Sequence, residues 1–296
     1  MLRLIAHAAA AAFILAACAP PPADSASERP EAPAAAVDLS VQPESTPAAT
    51  PATEPEDFQL SYKRGGETYE VSAEIDPAIL AFDAPLAWKL WIDTKAALDE
   101  LAATADADKA AADQDEATTG QNWFRGYTLD IAYHATVVLD DVISIEETYS
   151  TYTGGAHPNY ALSGGVYRKG APEPLALGTF VTDPAAFNNQ VIAALVAEKI
   201  ARGYEETAQA SIQSEIREML APSPDHPDLY KGNFVLDPST QAGKLGGITV
   251  LFSPYDVGSY AEGSYEITLT AVDLLPILTA DWAPRFGGEP AVEGEE

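Results

Sequence analysis

A chain of 296 residues with 45 acids against 16 bases carries a formal net charge of −29 at pH 7. Nucleic acid and anionic lipid headgroups are disfavoured partners for such a surface, whereas a cationic protein is steered toward it. The single cysteine leaves no internal disulfide, so burial of apolar surface has to hold the fold together.

Residues 1–17 read as an export signal: Arg3 gives a basic start, Leu4 to Leu15 is apolar except for His7, and Ala16-Ala17 are small residues suited to a peptidase. A run of twelve residues, eleven of them apolar, falls short of the about 20 that a helix needs to span hydrocarbon. Leu15-Ala16-Ala17-Cys18 resembles the lipobox of bacterial lipoproteins. That resemblance implies cleavage before Cys18 and lipidation of Cys18, with several acyl chains holding the protein on the cell envelope. Ala19 in the following position implies the outer membrane, facing the periplasm, over the inner one. The plain alternative is a secretory signal with a cysteine nearby by chance.

Residues 18–57 form a tether. Nine prolines and ten alanines between 19 and 56, with no aromatic residue, give it little to bury against its ordering entropy. The folded body is expected from Phe58 to Trp282, as two small α+β subdomains, 58–162 and 163–282, sharing one body. Residues 283–296 are expected to be an acidic tail.

Asp83 and Pro85 start a helix whose Leu90, Trp91, Ala97, Leu98 and Leu101 share a face. The Ala- and Asp-rich run that follows, through Glu116, reads as a solvated end or loop. Tyr127 to Leu139 alternates strictly and is the clearest strand. Asp140-Asp141 turns it into a second run, Val142 to Tyr152, giving a hairpin. Thr182-Asp183-Pro184 opens a helix with Phe187, Val191, Leu195 and Ile200 in one stripe, closed by Gly203. A second helix carries Ile212, Ile216 and Met219 and ends before Pro222. Short strands are expected at Phe234–Leu236, Ile248–Phe252 and Tyr265–Leu269. The fold class is therefore α+β, an antiparallel sheet or sheets with packed helices.

Two glycine-bearing segments carry the functional signal. One is Tyr152-Thr153-Gly154-Gly155-Ala156-His157-Pro158-Asn159; the other runs from Phe252 through Pro254, Tyr255, Tyr260 and Ala261 to Gly263. Gly154-Gly155 open backbone angles closed to other residues, and Tyr255 and Tyr260 offer broad contact area at low entropic cost. In this order the two segments resemble the family that joins a deacetylase PdaC-type N-terminal domain (DUF4163) to an RsiV-like C-terminal domain (DUF3298), over roughly residues 58 to 280. The resemblance implies an extracytoplasmic recognition body, with a lysozyme-like muramidase, a basic protein, or peptidoglycan as its ligand. It brings no catalytic polysaccharide-deacetylase domain and no sigma-binding segment.

Catalysis has little to stand on. His134, His157 and His226, the histidines beyond the leader, include no pair at helical zinc-ligand spacing. Neither a Gly-x-Ser-x-Gly elbow nor a phosphate-binding glycine loop occurs, and no metal or cofactor is implied. His157 is the best catalytic candidate, for a cell-wall hydrolase or deacetylase, yet a histidine within Gly-Gly-x-His-Pro-Asn reads more simply as a pin for the loop. The ligand-binding candidates are Tyr152, Thr153, Gly154, Gly155, His157, Asn159, Pro254, Tyr255 and Tyr260. A third reading is a structural or accessory lipoprotein whose loops only complete the fold. The acidic run Asp99 to Glu116 reads as a solvated face or a docking surface.

Overall fold

A computed structural model describes residues 53–221 and 233–291. The expected leader, Cys18, most of the expected tether and His226 lie outside the described residues. Two sheets and five α-helices make up the rest. The first sheet has the order β1 (Ser61–Gly65), β2 (Tyr69–Ile75), β3 (Tyr127–Val138), β4 (Val142–Tyr152), β5 (Asn159–Arg168). The second contains β6 (Phe234–Pro238), β7 (Leu245–Phe252) and β8 (Tyr265–Thr270). All pairs are antiparallel except β2–β3, which is parallel and needs a long crossover. Helices α1 (Pro77–Phe82) and α2 (Ala84–Thr119) supply it.

Aspartate and proline set the helix starts. Asp76, Asp83 and Asp183 each accept a hydrogen bond from the first turn through their side chains, and a proline occupies N1 or N2 each time. Helix α2 runs 36 residues to a left-handed Gly120, a length of about 54 Å at 1.5 Å per residue. The stretch expected as a loop is thus helical to Thr119. Alanine is the best helix former, and pairs such as Lys109–Asp113 at 2.6 Å reinforce the exposed face. Asp106 and Asp108 also accept from Thr68 (2.5 Å) and Tyr127 (2.7 Å), which ties the acidic helix to the ends of the sheet. Among the described residues no helix is long and apolar enough to cross a membrane.

Each face of the first sheet builds a core. On one face Val71, Ile75, Leu129, Ile131 and Ile145 pack under Ile79, Leu86, Trp91 and Leu98 of α1 and α2. On the other, Val137, Val142 and Val166 join the second sheet, α3 (Pro184–Ala201) and α4 (Gln209–Met219). The expected alternation of β3 holds up to Ala135; a bulge there sends Val137 to the opposite face, into the second core. The boundary expected at 162/163 falls inside β5, whose ten residues pair with β4 without a break. The two cores therefore share the first sheet, one on each of its faces.

Strand β6 is an edge, and the first sheet protects it. Leu236 donates its N–H to Ser144 Oγ at 2.8 Å and its carbonyl accepts from Thr136 Oγ1 at 2.9 Å. Residues 283–291, expected as the start of a tail, are part of the fold. Phe286 is buried, Arg285 grips both oxygens of Asp141 at 2.8 Å, and Pro290 bridges to Ser239. A bidentate guanidinium–carboxylate contact and a buried ring outweigh the acidic composition that suggested a free end.

Candidate functional site

The first glycine segment is the turn of the β4–β5 hairpin. Gly154 adopts φ 91°, which lets the chain reverse beside the ring of Tyr127. Gly154 and Gly155 are exposed, whereas Tyr152, Thr153 and Asn159 are half-buried, Asn159 already paired with Thr151 in the ladder. The second segment joins β7 to β8. It is welded to β5 at Ser253, whose Oγ accepts the Leu162 N–H at 3.0 Å, and Asp256 closes the turn by accepting the Ser253 N–H at 2.6 Å. Pro254 is buried and does not face solvent.

The two segments meet. The Tyr260 hydroxyl donates to the Pro158 carbonyl at 2.5 Å, across 102 positions of sequence. Its ring stacks on His157, with centroids 3.7 Å apart and planes 20° apart. The His157 Nδ1 in turn donates to the Pro158 carbonyl at 3.0 Å. Tyr160 approaches Tyr260 edge-on at 5.9 Å, and Tyr255 lies 5.7 Å away, tilted by 36°. Burial, then the neighbouring phenols Tyr160 and Tyr255, raise the Tyr260 hydroxyl above its ordinary pKa.

Tyr255 is the outermost ring, 62% exposed. Among the described residues it is also the one non-glycine with positive φ, at 78°. A tyrosine in that region costs on the order of 1 kcal/mol or more and persists only where its surroundings impose it. The surrounding aromatic group therefore presents an apolar ring to solvent at the expense of backbone strain.

Glu262 lies beneath the group. Its Oε1 accepts the Ser259 N–H at 2.7 Å and the Ser259 hydroxyl at 3.1 Å, a capping box. Its Oε2 accepts from Lys199 Nζ at 2.5 Å and from the Tyr265 hydroxyl at 2.8 Å. Burial alone would raise this carboxyl, but the bonds from Lys199, Ser259, Tyr265 and Tyr204 outweigh it and bring the pKa down to about 2. The folded value lies below the unfolded one, so the stabilisation is complete above about pH 4.5 and fades as pH falls toward 2. Urea midpoints of the native chain and Glu262→Gln should differ by a constant amount above pH 5. The gap should close on acidification; a gap independent of pH down to 2.5 would contradict this assignment.

The sequence pointed to His157, Tyr255 and Tyr260, which the fold brings together with Tyr160, Ser253, Glu262 and Lys199. The Ser259-x-x-Glu262 spacing is a readable capping signal; Lys199 gives none, because a lysine near a helix end ordinarily faces water. His134 is elsewhere, its Nδ1 3.5 Å from Asp76. A shallow cleft of about 370 Å3 adjoins it, lined by Glu74, Ile75, Asp76 and Pro77 among others. Its central carboxylate has structural work: Asp76 accepts from Ala78 N at 2.8 Å and Ala135 N at 3.2 Å. Among the described residues, no three His, Cys, Asp or Glu side chains are grouped so as to hold a metal ion.

Residues 190–271 match the family model described as DUF3298, a protein family of unknown function. This stretch holds most of α3, including Lys199, and the whole second loop. The fold is similar to that of a solved DUF3298 family member from Bacteroides fragilis NCTC 9343, with TM-score 0.50 and 18% identity over 74% of this chain and 92% of that one. A DUF3298 family protein from Pseudomonas aeruginosa PAO1 aligns with TM-score 0.45 and 17% identity, over 79% and 95% of the two chains. No curated protein matches the chain.

Proposed function

We propose that this protein is an envelope lipoprotein, anchored through Cys18, whose body recognises a basic protein, with a lysozyme-like muramidase as the leading ligand. On this reading residues 58–162 are the PdaC-type domain and the DUF3298 segment supplies the contact loop. One observation carries the reading: a strained, exposed Tyr255 held beside Tyr260 and His157 on a strongly anionic chain. Aromatic anchors hold complexes, while opposite net charge chiefly accelerates encounter. His157 fits the pinning role, since its ring covers Tyr260 and its Nδ1 is engaged by a carbonyl.

Titrating hen egg-white lysozyme against the full-length chain at about 0.15 M salt tests the proposal. Tyr255→Gly should weaken binding by about 30-fold, the factor of a 2 kcal/mol anchor. The same change should not lower the melting temperature, because glycine relieves the φ of 78°. Tyr260→Ala should weaken binding similarly. Binding that ignores both substitutions, or that vanishes at this salt concentration, marks ion exchange and sinks the reading. Peptidoglycan cleavage abolished by His157→Ala would favour a hydrolase instead. The anchor is checked by labelled palmitate in cells, which should enter the native chain and not Cys18→Ser.

A further inference from the structure

Helix α3 reaches into the tyrosine loop from below. Its Lys199 is 3% exposed, deep for an ammonium group. Besides its bond to Glu262, Lys199 Nζ lies 4.8 Å from the centre of the Tyr265 ring and 5.2 Å from that of Tyr204. One turn on, Arg202 stacks on Tyr265 at 3.9 Å and donates to the carbonyls of Glu262 and Ser264, both at 3.0 Å. The C-terminal end of α3, through its capping residue Arg202, therefore holds both sides of Gly263, whose φ of 74° strains any side chain and where a Cβ would come 3.3 Å from the Tyr160 hydroxyl.

The carboxylate of Glu262 is the point through which these contacts reach Tyr260. Tyr260 sits in the single turn between Ser259 and Glu262, and Glu262 closes that turn on Ser259 while bonding Lys199. A Cβ on Gly258 would lie 2.5 Å from the same carboxylate, so the loop backbone is pressed against it. Breaking the carboxylate's contacts frees the turn that aims the Tyr260 ring at His157 and Tyr255.

Resting on the recognition reading above for its functional consequence, we infer that Lys199 and Glu262 are positioning residues. They couple helix α3 to the tyrosine loop and hold Tyr255 and Tyr260 in the arrangement that meets a ligand. Neither residue needs to touch the ligand. A salt-linked pair fits this task because it is directional, whereas an apolar contact would hold the turn without fixing its rotation.

The test uses the full-length chain and the variants Glu262→Gln, Lys199→Met and the milder Ser259→Ala. Amide hydrogen exchange over residues 253–263 is compared with that over β7 and β8. In Glu262→Gln and Lys199→Met the loop should exchange about tenfold faster through an opening that does not depend on added urea, while β7 and β8 speed up only through the urea-dependent global unfolding that the lower stability brings, with Ser259→Ala between. Nitration of Tyr260 by tetranitromethane should rise in step. Loop exchange unchanged in all three variants, or faster only through the urea-dependent global unfolding shared with β7 and β8, overturns the positioning role. A double-mutant comparison with lysozyme as the probe adds the functional arm. Glu262→Gln should weaken binding about tenfold in the native background and less than twofold when Tyr260→Ala is already present. Equal loss in both backgrounds overturns positioning through Tyr260. Absence of lysozyme binding by the native chain instead refutes the recognition reading, and exchange and nitration still decide the coupling.

Discussion

Trp91→Ala is expected to lower the stability of the folded body by about 3–5 kcal/mol, the range for removing a fully buried tryptophan. The ring is 1% exposed and lies where α2 crosses the first sheet. Phe58 meets it edge-on at 6.3 Å and Tyr62 at 5.5 Å, and its Nε1 donates to Asp57 at 3.2 Å. Three residues on the approach to β1 and within it thus converge on one indole. Among the described residues strand β1 pairs only with β2, so without the indole the sheet loses the packing that docks its outermost strand. Domains of this kind have some 5–15 kcal/mol in total, so the loss is a large fraction. Urea unfolding followed by far-ultraviolet circular dichroism measures it. Trp91→Phe should recover about half, because a ring persists while the bond to Asp57 is gone. A loss below about 1 kcal/mol in the alanine variant would mean that the core collapses into the gap and that β1 does not depend on it.

The sequence shows much of the local structure and less of how the pieces meet. The aspartate–proline starts of α2 and α3 are visible because capping is a local matter of one side chain and the next turn. The β3–β4 hairpin shows through its alternation, up to the bulge at Ala135. The length of α2 was hidden because alanine and aspartate are as common in solvated ends as in helices, and its anchors, Thr68 and Tyr127, lie far off in the chain. The parallel β2–β3 pair was hidden too, since a short strand before a helix carries no mark of the partner it will find. At the site, both tyrosine loops were legible as glycine-bearing departures from the patterns around them. Their meeting was not, because it depends on Ser253 bonding Leu162, 91 positions away, and on Tyr260 reaching Pro158. Lys199 illustrates the limit. Its burial becomes sensible only once Glu262 lies opposite, and nothing at position 199 announces that partner.

Two glycines hide strand β5 in the sequence. Gly164-Gly165 interrupts its alternation, and paired glycines ordinarily signal a turn. Here they thin the strand on both faces. A Cβ at Gly165 would sit 2.9 Å from the Tyr167 ring, which folds back over the strand. A Cβ at Gly164 would sit 2.7 Å from Val235 Cγ1 and 2.9 Å from the Phe234 carbonyl, where β6 crosses the first sheet. Valine could turn at some cost, but the carbonyl belongs to the backbone of a strand in which Leu236, two residues on, is bonded to Ser144 and Thr136. It cannot retreat without breaking those bonds. Alanine normally favours strands over glycine by up to about 1 kcal/mol, so the steric term decides the sign. Gly164→Ala is expected to destabilise by about 3 kcal/mol and Gly164→Val by more, the upper range for overpacked cores. Gly178→Ala is the control, since a Cβ there meets nothing within 4 Å and its backbone is not left-handed; it should be neutral or slightly stabilising. Thermal melts of the three variants separate the cases. Should Gly164→Ala melt with the native chain, the two layers are held by something looser than the contact of β5 with β6, and the single body would have to be explained by its helices alone.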